Sequence, residues 1–144
     1  MHRLRERHAA AFQSTIAALT DISERADLRY LHEMISGARA RAEMLGYGFS
    51  CIRIEVTKGK QCALERILRS RGVEGVLLLP MSRPQAVDEL IDWTNFSVIA
   101  STYVVASPEF HRVVPNQFAD MLMLCESLVR HGYCRLGLVI PIWP

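Results

Sequence analysis

The sequence predicts an α/β fold built on a three-layer parallel sheet. Two observations carry that expectation. Short β-rich runs alternate with stretches of helical period, joined by brief connections, which is the pattern of repeated β-α-β units. One run, Val76 to Leu79, is apolar at every position, as a strand covered on both faces must be. The length agrees: 144 residues, 50% of them hydrophobic, make one domain able to bury a core.

Ile16 to Thr20 is a short apolar run that reads as the first strand, ending at Asp21. From Leu28, the apolar positions Leu31, Ile35, Ala38, Ala42 and Leu45 recur at three and four, so a helix buries one stripe while Arg29, Glu33, Arg39 and Glu43 face water. Asp27 is placed to cap its start and Gly46 to end it. In Phe49 to Val56, Cys51, Arg53 and Glu55 oppose Ile52, Ile54 and Val56, an alternation that places this strand near a sheet edge. Cys62 to Leu68 has helical spacing and Gly72 closes it. Val73 to Leu79 is then the strand expected at the sheet centre. Ser82 and Gln85 have the spacing of a capping box, with Val87, Leu90 and Ile91 as the buried stripe of a third helix. Ser97 to Tyr103 is extended, and the turn-prone Ser107-Pro108 leads to a short strand from His111 to Val114. Asn116 is a good cap for a helix through His131 that turns Met121, Leu122, Cys125, Leu128 and Val129 inward and stops at Gly132. Arg135 to Ile140 reads as the last strand.

Charge and cysteine usage narrow the classes. The 17 Lys and Arg against 15 Asp and Glu leave +2, and Arg3, Arg5 and Arg7 against Glu6 already account for it, so the body is neutral. A neutral body lacks the basic face that binding to nucleic-acid phosphates requires. No apolar run approaches the ~20 residues that span a bilayer, and Ala9 to Phe12 is too short for a secretion signal, so a cytoplasmic, membrane-free protein is expected. Cys51, Cys62, Cys125 and Cys134 form no C-x-x-C pair and read as small buried hydrophobes, with no metal site expected.

In parallel sheets ligands sit beyond the carboxyl ends of the strands. There, Asp21 to Arg25 has no glycine for a dinucleotide pyrophosphate, and the chain has no P-loop and no G-x-S-x-G elbow. A receiver-like domain would gather acids at the first and third strand ends, where Asp21 faces Pro80-Met81 instead. His111 lies in a strand and His131 at a helix end, both structural positions. What remains is Asp21, Ser82, Ser101, Thr102, Tyr103, Asn116, Gln117 and Phe118, neutral hydrogen-bonding groups and aromatics with one acid. Such a set suits a polyhydroxylated small molecule, held without chemistry and without a cofactor. Each has a plainer alternative: Asp21, Ser82 and Asn116 as helix caps, Tyr103 and Phe118 as core, Thr102 as a strand former.

The order of elements and three segments resemble a known family. Arg71 to Pro80, R-G-V-E-G-V-L-L-L-P, is similar to the "R-x-V-D-G-hydrophobic" strand of the regulatory core of LacI/GalR transcription regulators. Glu126 to Gly137 resembles that family's "H-L-x-x-x-G-H-R-R-I-G" run, and Leu28 to Tyr47 its "G-hydrophobic-x-x-x-A-x-x-x-G-Y" helix. The likeness covers nearly all of residues 16 to 141. It implies a periplasmic-binding-protein-like I fold, of which residues 16–144 are the N-terminal subdomain and residues 1–15 a basic linker remnant, a truncated piece without the DNA-binding headpiece and second subdomain. It further implies a catalytically inert sensor of a sugar-like effector that dimerises with itself and reaches DNA only through a headpiece outside this chain. Ligand-binding roles then fall to Asp21, Ser82, Thr102, Tyr103, Asn116, Gln117 and Phe118, although Asn116 stands where the family usually has an acid. The alternatives are a solute-binding component of a sugar transporter and a flavodoxin- or receiver-like domain.

Overall fold

In the computed structural model, which describes residues 14–23, 28–54 and 61–139, the elements follow as β1 (Thr15–Thr20), α1 (Arg29–Met44), β2 (Gly48–Arg53), α2 (Gln61–Ser70), β3 (Val73–Leu78), β4 (Gln85–Ala86), a 3-10 turn (Trp93–Asn95), β5 (Ser97–Ala100), β6 (Val105–Ser107), β7 (His111–Arg112) and α3 (Gln117–Arg130). Five strands make one sheet in the order β2-β1-β3-β5-β7, every pairing parallel. β4 and β6 form a separate parallel pair. The α/β class and parallel sheet are those expected from the sequence, with the apolar β3 at the centre and the alternating β2 at an edge. Among the described residues no helix is long and apolar enough to cross a membrane.

Strand alternation produces the layers. Ala17, Leu19, Val76, Leu78 and Ala100 share one face, where Leu68 of α2 completes a core with Val87, Trp93 and Val105. Ala18 and Leu79 turn to the other face and meet Leu31 of α1, with Phe49, Cys51 and Leu77 at the margin. Leu19, Leu68 and Leu78 are fully buried, each stabilising the fold by roughly 1.5–3 kcal/mol. The helices end where the glycines predict: Gly46 follows α1 at φ 83° and Gly72 follows α2 at φ 61°, conformations that a side chain resists.

Residues 82–92 depart from the predicted third helix. Gln85 and Ala86 pair with β6, the Val87 N–H donates to the Ser107 carbonyl at 2.8 Å, and a turn carries the chain onward through Leu90. Val87, Leu90 and Ile91 are buried as expected, but the Val87 carbonyl accepts the Trp93 indole N–H at 2.8 Å, so long-range pairing overrides local period. Smaller differences concern ends. β2 stops at Arg53, β5 at Ala100 and β7 at Arg112, while Asp27, Glu55 and Val56 lie outside the described residues.

The loop before β5 carries a pH-sensitive contact. The Asp92 carboxylate accepts the Thr94 hydroxyl at 2.6 Å, the Thr94 N–H at 3.1 Å and the Asn95 amide at 2.9 Å, which hold its pKa below the usual carboxylate value. A lowered folded-state pKa gives stability that is full above the unfolded value of about 3.9 and is lost as pH falls through the folded one. Asp92→Asn should therefore be less stable than wild type near neutrality, and the gap should narrow in acid. Urea unfolding in neutral and acidic buffer measures it.

The chain falls into two compact units, Met1–Val114 and Pro115–Pro144, and the sheet belongs to the first. In the second, Asn116 caps α3 as predicted, its side chain accepting the Ala119 N–H at 3.1 Å. Gly132 at φ 86° ends the helix, with the Tyr133 N–H donating to the Leu128 carbonyl at 3.1 Å. The inward stripe expected of α3 is not buried: none of its side chains is, and Met121, Leu122 and Val129 are exposed. Residues 135–139 form no strand, since a strand needs a paired neighbour and none lies beside them among the described residues.

Candidate functional site at the carboxyl ends of the strands

Parallel register brings the ends of β1, β3 and β5 to one edge of the first unit. Leu19, Leu78 and Ala100 pair in one row, so Asp21, Pro80 and Thr102 each lie two residues beyond it. The strand apolarity ends here because the chain leaves the core, and polar side chains take over.

Those side chains are tied to one another. The Thr20 hydroxyl donates to the Pro80 carbonyl at 2.8 Å and accepts the Ile22 N–H at 3.1 Å, joining the exits of β1 and β3. The Asp21 carboxylate spans the same gap, accepting the Ser82 N–H at 2.7 Å and its hydroxyl at 2.6 Å. Hydrogen bonds to a charged acceptor are the stronger kind, so this pair fixes the loop after β3 against the loop after β1. Ser101 is buried and donates to the Leu78 carbonyl at 3.0 Å. Thr102, also buried, accepts the Val104 N–H at 3.1 Å. Arg112 stands beside Ala100 in the sheet and donates to the Val105 carbonyl at 2.9 Å and the Thr102 carbonyl at 3.4 Å, holding the loop after β5 from beneath.

Asp21 and Ser82, considered singly in the sequence, thus form one unit, and Ser82 caps no helix. Thr102 is at the same edge, past the end of β5 rather than within a strand. Tyr103 follows it and is 65% exposed, which rules out the core alternative. Asn116, Gln117 and Phe118 belong to the second unit, where Asn116 serves as a cap and Phe118 is 80% exposed rather than core. Sequence reasoning passed over Thr20 and Arg112. Thr20 was visible as the first polar residue after an apolar strand, whereas nothing local marks Arg112.

The edge offers hydroxyls, carbonyls and one carboxylate, groups that recognise a hydroxyl-bearing small molecule. It is open. Two concavities of the first unit lie elsewhere: one of about 540 Å³ among Trp93, Phe96, Pro108 and Phe110, and one of about 620 Å³ between α1 and the face of β3 and β5. Among the described residues no group of three His, Cys, Asp or Glu side chains could hold a metal ion. His131 Nδ1 lies 2.7 Å from the Ser127 carbonyl, the helix-end role expected for it. No protein-family model, curated protein or solved structure matches the chain.

Proposed function

We propose that the chain is the effector-sensing part of a LacI/GalR-type transcriptional regulator, cytoplasmic and catalytically inert, whose edge at Asp21, Ser82, Thr102 and Tyr103 takes a sugar-like molecule. The observation that carries the reading is the Asp21–Ser82 pair, which bridges adjacent parallel strands at the edge where this architecture binds ligands. The resemblance of Arg71 to Pro80 and Glu126 to Gly137 to the family's segments supports the regulatory role. Asn116, Gln117 and Phe118, to which the resemblance also gives ligand-binding roles, belong to the second unit. The chain acts as a homodimer and uses no cofactor or metal.

A regulator of this kind works by differential affinity. An effector held between two subdomains favours one degree of closure, and the dimer passes that preference to its DNA-binding headpieces. The coding sequence upstream of Met1 tests the assignment: a helix-turn-helix is expected there, and a secretion signal would replace the regulator with a transporter component.

A further inference from the structure

We propose that the concavity of about 540 Å³ at the amino ends of β5 and β7 is a second ligand site of the first unit, one that takes a small quaternary ammonium ion of the choline type. It lies at the opposite end of β5 from Thr102 and rests on neither the sugar site nor the regulatory role proposed above.

Two loops build it. The 3-10 turn Trp93–Asn95 feeds β5, residues 108–110 feed β7, and because β5 and β7 are parallel neighbours both loops arrive at the same end of the sheet. Trp93 and Phe110 meet edge to face between them, with ring centroids 5.4 Å apart. Phe96, Val98, Pro108 and Glu109 complete the lining. The volume falls in the range of roughly 300–1,000 Å³ that holds small molecules. Trp93 is buried and forms a fixed wall, whereas Phe96 and Phe110 are half-buried and remain partly open to a ligand.

The polar inventory selects the ligand. The Trp93 indole N–H is taken by the Val87 carbonyl at 2.8 Å and the Thr94 hydroxyl by Asp92 at 2.6 Å. His111 stands level with Ile99, so its imidazole belongs to the other face of the sheet from Val98. The lining therefore has no side-chain donor to spare for an anion or a polyhydroxylated molecule. It offers aromatic surface and the Glu109 carboxylate, which is exposed and makes neither a hydrogen bond nor an ion pair with another described residue. Both attract positive charge, the rings through their negative faces and the carboxylate through its full charge. A primary ammonium carries three N–H donors and a tightly held hydration shell, for which one carboxylate is too few acceptors. A quaternary ammonium has no N–H and wraps its charge in methyl groups, which suits rings beside a single acid.

The test titrates choline into the isotopically labelled full chain, beside 3,3-dimethylbutan-1-ol, which has the same shape without the charge. Choline is expected to give saturable shifts at the amides of Phe96, Glu109 and Phe110 and none at Asp21 or Ser82, and to bind about 10-fold or more tightly than the alcohol. Glu109→Gln keeps the side-chain shape and is expected to weaken choline about 5-fold or more, while Glu43→Gln, at an exposed carboxylate of α1, changes it by no more than about twofold. Phe110→Leu, which keeps an apolar side chain but removes the ring, should also weaken choline more than the alcohol. Equal affinity for choline and the alcohol, or unchanged choline affinity in Glu109→Gln, would overturn the cation site, as would the absence of saturable shifts with choline. The sugar site is read at other residues with other probes, so either reading can fail without the other.

Discussion

Leu19→Ala is expected to destabilise the chain by about 2–5 kcal/mol, the range for emptying a leucine-sized space in a core that cannot collapse around it. Leu19 is fully buried in β1, next to the central β3, and packs in the same core as Leu68 and Leu78. Domains of this size hold only about 5–15 kcal/mol in total, so much of the native population would be lost on mild denaturation. The contrasting substitution is Leu45→Ala, at a residue 55% exposed, with an expected cost of no more than about 0.5 kcal/mol. Urea unfolding followed by circular dichroism reads both. Equal midpoints for the two variants would mean that the buried face of β1 is not where the stability lies.

Asp21→Ala is expected to weaken binding of a neutral sugar about 10- to 100-fold, because it removes both hydrogen bonds that orient Ser82 as well as a carboxylate able to accept ligand hydroxyls. Ser82→Ala should weaken it less, since the carboxylate survives. Asp92→Ala, which alters the loop before β5 at the other end of that strand, should leave affinity unchanged. Calorimetric titration of the same sugar into the three variants separates them.

The sheet was legible where burial alone determines the strand. β1 and β3 contribute to the cores on both faces through the apolar runs Ile16 to Leu19 and Val76 to Leu78, β2 is an edge and alternates, and Gly46, Gly72 and Gly132 each end a helix in the left-handed conformation. Legibility failed where a distant residue decides. Val87, Leu90 and Ile91 have the spacing of a helix stripe, yet β6 and the Trp93 indole claim the Val87 backbone, and Ser82 is engaged by Asp21, 61 positions away. The stripe of α3 was expected to face inward, and none of its side chains is buried, because a sequence pattern does not say what covers a face. The candidate site was legible in the same measure. Asp21, Ser82 and Thr102 were recognised because they follow apolar strands, whereas the carboxylate–hydroxyl pairing and the hold of Arg112 on the loop after β5 depend on register between strands.

The central claim is that the edge beyond β1, β3 and β5 is the ligand site. The direct test is to titrate neutral monosaccharides into labelled protein and follow backbone amide resonances. The account predicts saturable shifts, for at least one sugar, at Asp21, Ser82, Thr102 and Tyr103. Shifts confined to the concavity around Trp93 and Phe110, or none with any sugar, would contradict it.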